Sequence, residues 1–183
     1  MSPSVSLDAL WNDLTADLSR DPKGPGVARI LGEYAQKAED WREFALYRDD
    51  GCYARNLLGA SELFELILLC WGPGQVSPIH NHEGQRCWMT TLEGVIEETH
   101  YSLPESGAPV ETGTKIYEPG GVAFITDDIA LHRIRPQNGS GGISLHLYSK
   151  PIRACRLYCE QTGAIEWAQM SYYSVRGELQ PKA

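Results

Sequence analysis

The chain has 183 residues, 42% of them apolar and 22% charged, which is enough for one folded domain with a sizeable core and too apolar for a disordered chain. Its formal net charge of −8, with no Lys/Arg cluster, argues against nucleic acid or an anionic membrane as a partner. No apolar run reaches the ~20 residues of a membrane span. The five cysteines (Cys52, Cys70, Cys87, Cys155 and Cys159) include no CxxC pair. The first residues, Met-Ser-Pro-Ser-Val-Ser-Leu-Asp, carry neither the basic nor the apolar region of a secretion signal. A disulfide framework is therefore not expected, and a cytoplasmic location is.

Residues 6–46 read as helical. Ser6 is suited to an N-cap, and Leu7, Leu10, Trp11, Leu14 and Leu18 follow a helical stripe. Asp21-Pro22-Lys23-Gly24-Pro25-Gly26 interrupts it. Val27, Ile30, Leu31 and Tyr34 form a second short amphipathic pattern, and Trp41, Phe44 and Ala45 a third. From about residue 52 the character changes to β. The run 63–71, Leu-Phe-Glu-Leu-Ile-Leu-Leu-Cys-Trp, predicts a buried strand, with Cys70 as a small hydrophobe and Trp71 and Trp88 as core residues. Short strand-like runs then recur between the turns at 72–74, 83–84, 93–94, 119–121 and 138–142, a spacing that predicts an all-β sandwich or barrel. The helical segment is expected to pack outside it.

The most informative stretch is Ser77-Pro78-Ile79-His80-Asn81-His82. Strand side chains alternate, so two histidines one residue apart share a face and can grip one metal ion. His132 lies in another strand-like run, Ile129-Ala130-Leu131-His132. Three imidazoles without an obvious carboxylate suit a metal that keeps open positions for substrate, and this donor set alone admits Fe, Zn, Ni, Cu or Mn. Ile143, Leu145 and Leu147 alternate with Ser144, His146 and Tyr148. That puts a polar row on one face of a strand, costly inside a barrel unless it is hydrogen-bonded. His100, after Glu97-Glu98-Thr99, is read as solvated. The i, i+4 pair Cys155 and Cys159 is not read as a ligand pair.

The segment from Gly74 to Gly94 reads G-x5-H-x-H-x4-C-x6-G. It resembles the first cupin motif, with Cys87 where that motif usually has a metal-binding glutamate. The second segment, Gly121-x5-Asp127 followed by His132, is looser. With Tyr53-Ala54-Arg55-Asn56, Leu69-Cys70-Trp71-Gly72, Leu131-His132-Arg133 and Ser144-Leu145-His146-Leu147-Tyr148-Ser149, the chain resembles the cysteine dioxygenases, cupin-fold thiol dioxygenases that use non-haem Fe(II).

That resemblance implies one cupin domain over 1–183, with a helical segment at 1–50 and a jelly-roll barrel at 52–175. It implies Fe(II) on His80, His82 and His132, and Arg55, with Tyr53 nearby, as the receptor of the substrate carboxylate. It also implies a thioether-forming pair in Cys87 and Tyr148, and Ser144 and His146 as the hydrogen-bond chain orienting Tyr148. The implied substrates are L-cysteine and O2, the implied product cysteine sulfinate, and the implied assembly a monomer. Two other functions share these residues: a dioxygenase of another small thiol such as 3-mercaptopropionate, and a non-catalytic metal-binding cupin sensor. Arg55 favours cysteine, because the relatives acting on the other thiol tend to carry glutamine there. A plain structural role remains open for several of these residues: a salt bridge for Arg55, core packing for His146, Tyr148 and Cys87.

Overall fold

The computed structural model describes residues 5–105 and 107–181. Met1–Ser4, part of the stretch read as lacking a secretion signal, lie outside the described residues.

The helical segment resolves into α1 (Leu7–Arg20), α2 (Val27–Lys37) and a 3-10 turn (Asp40–Phe44). Ser6 caps α1, its side chain accepting from the Ala9 N–H at 3.2 Å. Asp40 ties the three pieces together: one carboxylate oxygen accepts from the Leu7 N–H at 2.6 Å, the other from the Tyr34 hydroxyl at 2.8 Å.

Among the described residues thirteen strands follow in two sheets. They are β1 (Ala54–Ala60), β2 (Glu65–Trp71), β3 (Ile79–His80), β4 (Arg86–Glu93), β5 (Ile96–Ser102), β6 (Val110–Tyr117) and β7 (Val122–Ile125), then β8 (Leu131–Pro136), β9 (Gly142–Ser149), β10 (Ala154–Tyr158), β11 (Ile165–Gln169), β12 (Ser174–Val175) and β13 (Glu178–Leu179). One sheet runs β13-β12-β1-β2-β9-β4-β7, the other β11-β10-β3-β8-β5-β6. From β2 to β10 the chain changes sheet at every step except the β5–β6 hairpin, which makes this the cupin jelly roll, mainly β with its helices outside.

The period of two in β2 and β9 builds two cores at once. Leu66, Leu68, Cys70, Ile143, Leu145 and Leu147 face outward and are buried under Leu10, Leu14, Leu18, Val27, Leu31 and Tyr34 of the helices. Ile67, Leu69, Trp71 and Tyr148 face inward with Cys87, Met89, Ile125 and Ile134. Both faces of β2 are therefore covered, which is why it is apolar without a break from Leu66 to Trp71. Gly94, the last glycine of the motif, turns β4 into β5 at φ 75°, and a Cβ there would lie 2.8 Å from the Gly141 carbonyl oxygen.

Candidate metal and substrate site

Strand register assembles the histidines. His80 of β3 pairs across the ladder with His132 of β8, and His132 in turn with His100 of β5. Directly opposed residues share a face, so this row points into the barrel. His82 follows β3 in a turn pinned by Asp127, whose two oxygens accept from the His82 and Gly84 N–H groups, each at 2.7 Å. Burial works against the Asp127 carboxylate. The nearby His82 ring, 3.7 Å away, and the hydrogen bonds from these two amides prevail and hold it ionised, at about 2. The ring centroids of His80, His82 and His132 lie 4.5 to 5.3 Å apart.

Their outer nitrogens decide what the inner ones do. The Nδ1 of His80 faces the Pro78 carbonyl at 3.0 Å, and the Nδ1 of His132 faces Glu98 Oε1 at 2.8 Å. Both partners are acceptors, so each Nδ1 carries the proton and each Nε2 presents a lone pair. Those two lone pairs face each other at 3.1 Å. Burial, then the neighbouring imidazoles, push His80 and His132 well below the ordinary histidine value, so no proton sits between them at neutral pH. Two acceptors this close, one of them buried, need a cation between them. A metal ion with bonds of ~2.1 Å holds nitrogens about 3.0 Å apart at right angles and about 3.4 Å apart in a tetrahedron. Neither ring nitrogen of His82 has a hydrogen-bond partner, and ligand atoms of all three histidines lie within 4.8 Å of one another. The donor set fits one metal ion held by neutral imidazoles.

Behind this trio lies a carboxylate that the sequence reading passed over. Glu98 is 1% exposed. Besides His132, it accepts from the Tyr117 hydroxyl at 3.1 Å and lies 3.1 Å from His100 Nε2. The expectation of a solvated His100 is therefore corrected: its side chain is 13% exposed and faces Glu98. A signal was available. Ile96 points inward, and a strand period of two carries Glu98 and His100 to the same side.

A cavity of about 130 Å³ opens beside the histidines. Tyr53, Arg55, His80, His82 and Tyr148 line it, with an apolar wall of Ile152, Leu157 and Met170. Cys155, read from sequence only as a non-ligand, also lines it. Tyr53 is held by stacking on Trp71, with centroids 4.4 Å apart. The Arg55 guanidinium donates its Nε–H to the Ser171 carbonyl at 3.2 Å and makes no ion pair among the described residues. A salt-bridge role for Arg55 is thus not what the structure shows.

The polar row of β9 does face inward. The Trp71 indole N–H donates to Ser144 Oγ at 2.9 Å, and Ser144 Oγ lies 2.9 Å from His146 Nε2. If the hydroxyl passes its own proton on, the His146 proton is on Nδ1, a buried atom with no protein partner. The chain stops there. No direct hydrogen bond joins His146 to Tyr148, whose ring lies 6.1 Å away. The Tyr148 hydroxyl instead lies beside the Arg55 guanidinium and the Cys87 thiol. Ser144, His146 and Cys87 stand behind the cavity wall rather than in it.

The comparisons with known proteins agree with this chemistry. The family model described as cysteine dioxygenase type I matches residues 16–161. The chain belongs to that family. It is 32% identical to cysteine dioxygenase type 1 of Danio rerio over 160 residues, covering 85% of this chain and 79% of that one. It is 32% identical to the Homo sapiens enzyme over 161 residues, covering 86% and 80%. Among solved structures, a Klebsiella pneumoniae protein with a double-stranded β-helix domain is 14% identical, with a TM-score of 0.46 over 73% of this chain and 97% of that one. Membership makes this chain an oxidoreductase by descent. No helix among the described residues is long and apolar enough to cross a membrane.

Proposed function

We propose that this protein is an Fe(II)-dependent cysteine dioxygenase that converts L-cysteine and O2 to cysteine sulfinate. The observation that carries the reading is an Arg55 without an ion pair, in the same small cavity as His80 and His82, with the His132 lone pair converging on His80 beside it. His80, His82 and His132 hold the iron. When bound, it supplies open coordination positions and the electrons through which a thiol and O2 react. The thiol sulfur gains both oxygen atoms and is oxidised by four electrons. O2 is reduced by the same four, and the thiol proton leaves to solvent from the sulfinic acid.

The chain's own groups do the rest. Once its Nε–H is engaged, Arg55 keeps the two-nitrogen fork of its guanidinium for the substrate carboxylate. The Tyr148 hydroxyl, beside that fork, donates a hydrogen bond to negative charge as it develops. Burial raises this hydroxyl well above the ordinary tyrosine range, so it remains a donor at neutral pH. The cavity has room for a free amino acid beside the histidines. Ile152, Leu157 and Met170 exclude water from the reacting sulfur. A single cupin domain, a monomer in the cytoplasm, completes the reading.

Arg55→Ala tests it. Its kcat/KM for L-cysteine should fall by the loss of a buried ion pair, about 2–5 kcal/mol. Cysteamine, which has no carboxylate, should be used as by the wild type. An equal loss for both thiols would make Arg55 a structural residue. Wild-type turnover of 3-mercaptopropionate above that of cysteine would move the substrate assignment to that acid.

A further inference from the structure

Beside Arg55 lies a buried charge that the chemistry above does not use. Glu65, at the start of β2, is 0% exposed and sits opposite Tyr148 on the neighbouring strand. It lies within electrostatic reach of Arg55, yet the two form no ion pair. A buried Glu beside a half-buried Arg ordinarily pairs with it, because a buried carboxylate is costly alone. Here both Glu65 oxygens are already engaged. Oε1 accepts from the Ile152 N–H at 2.8 Å, and Oε2 accepts from the Tyr172 hydroxyl. That hydroxyl in turn accepts from Arg153 Nη1 at 2.9 Å, and the same Nη1 lies 4.0 Å from Glu65 Oε2, so Glu65 already has a cationic partner in Arg153.

Tyr172 belongs to the segment 170–173 that leaves β11 and passes over the cavity. Met170 of this strap lines the cavity, and the Ser171 carbonyl holds Arg55 Nε. The Tyr173 N–H bonds the Arg55 carbonyl at 2.7 Å. The strap therefore touches Arg55 at both its backbone and its guanidinium, and the Tyr172 side chain is its anchor into the core.

We propose that Tyr172 and Glu65 are positioning residues for substrate recognition: their hydrogen bond fixes the strap that orients Arg55, and keeps Glu65 from pairing with it. The Arg55 fork is thereby left open for a carboxylate-bearing thiol. This rests on Arg55 as carboxylate receptor. Neither Glu65 nor Tyr172 lines the cavity, so both act through Arg55 and not on the substrate.

The experiment is a double-mutant cycle on the iron-loaded enzyme with Tyr172→Phe, Glu65→Met and the double variant, alongside Glu65→Gln and Arg55→Ala. The readouts are KM and kcat for L-cysteine and for cysteamine, and the anaerobic Kd of L-cysteine by calorimetry. Losing a hydrogen bond to a charged group should raise KM and Kd for cysteine about tenfold. The kcat for cysteine and both constants for cysteamine should stay at wild-type values. The double variant should be no worse than the poorer single one, since the two residues act as a pair. Glu65→Gln, which keeps an acceptor for Tyr172, should restore most of the affinity, and it carries the comparison if Tyr172→Phe does not fold. An unchanged cysteine Kd in Tyr172→Phe and Glu65→Met, equal losses for both thiols, or losses that multiply in the double variant would overturn the proposal. Arg55→Ala separates the two levels: if that variant binds cysteine as the wild type does, it is the carboxylate role of Arg55 that has failed.

Discussion

At the scale of single residues, the three histidines differ in what stands behind them. His80 leans on a neutral carbonyl and His82 on a turn pinned by Asp127, whereas His132 donates to the buried carboxylate of Glu98. A carboxylate behind an imidazole fixes its tautomer and makes it a stronger donor to metal. Glu98→Gln keeps an acceptor for His132 and removes the charge. It should weaken iron binding about 10- to 100-fold, read by competition with a chelator, with little change in cysteine affinity at saturating iron. Unchanged iron affinity would reduce Glu98 to a packing role. The ligands themselves were legible in sequence from the HxH spacing and the later His132, but the strand alternation invoked for the pair holds only for His80: β3 ends there, and it is the turn pinned by Asp127 that brings His82 in. Glu98 was not, because an acidic pair in a strand reads as a solvated edge until its neighbour Ile96 is known to point inward. Trp71 was legible only as core; its indole N–H on Ser144 is a contact made 73 residues away in sequence.

At the scale of strands, register brings together what sequence spacing cannot. Glu65, Tyr148 and Cys87 lie side by side across β2, β9 and β4, since Tyr148 opposes Glu65 on one side and Cys87 on the other. The alternation of β9 showed that Tyr148 faces inward; its neighbours depended on pairings between distant segments. The Cys87–Tyr148 adjacency supports a thioether formed during turnover, with Cys87 losing its thiol hydrogen, the Tyr148 ring losing one hydrogen, and O2 as the oxidant. Peptide mass spectrometry after turnover should find the joined peptides two hydrogens lighter than their sum. Cys87→Gly should slow turnover without abolishing it, because a fixed ring spares an ordering cost. Separate peptides after prolonged turnover would end the crosslink claim and leave the metal site standing. The helical stretch shows the opposite case. Its caps and breakers are local, so α1, α2 and the 3-10 turn could be read from Ser6, the Pro/Gly run 21–26 and the apolar stripes.

At the scale of the whole molecule, the site makes folding depend on pH. Burial, then the charge of Arg55, pull His146 down to about 3, and His80 and His132 are shifted the same way. The folded values lie below the ~6.5 of the unfolded chain, so the unfolded state binds more protons in between. This stabilisation is complete above about pH 6.5 and drains away as the pH falls toward 3. The metal-free protein should therefore show a falling urea midpoint from pH 7 to pH 5. The slope should approach about 1.4 kcal/mol per pH unit for each such imidazole. A midpoint flat over that range would mean the histidines are charged in the fold, which would leave no lone pairs for metal. The same neutral imidazoles predict that acid releases iron before it unfolds the chain.

The central claim, that converging neutral histidines beside an arginine without an ion pair make this protein a cysteine dioxygenase, is tested most directly by stoichiometry. Iron-loaded protein is given L-cysteine in an oxygen electrode, and sulfinate is quantified in the same vessel. The account predicts one O2 consumed per cysteine sulfinate formed, with both outcomes lost in His132→Ala. Iron bound by the wild type without cysteine-dependent O2 uptake, or uptake yielding cystine rather than sulfinate, would contradict it.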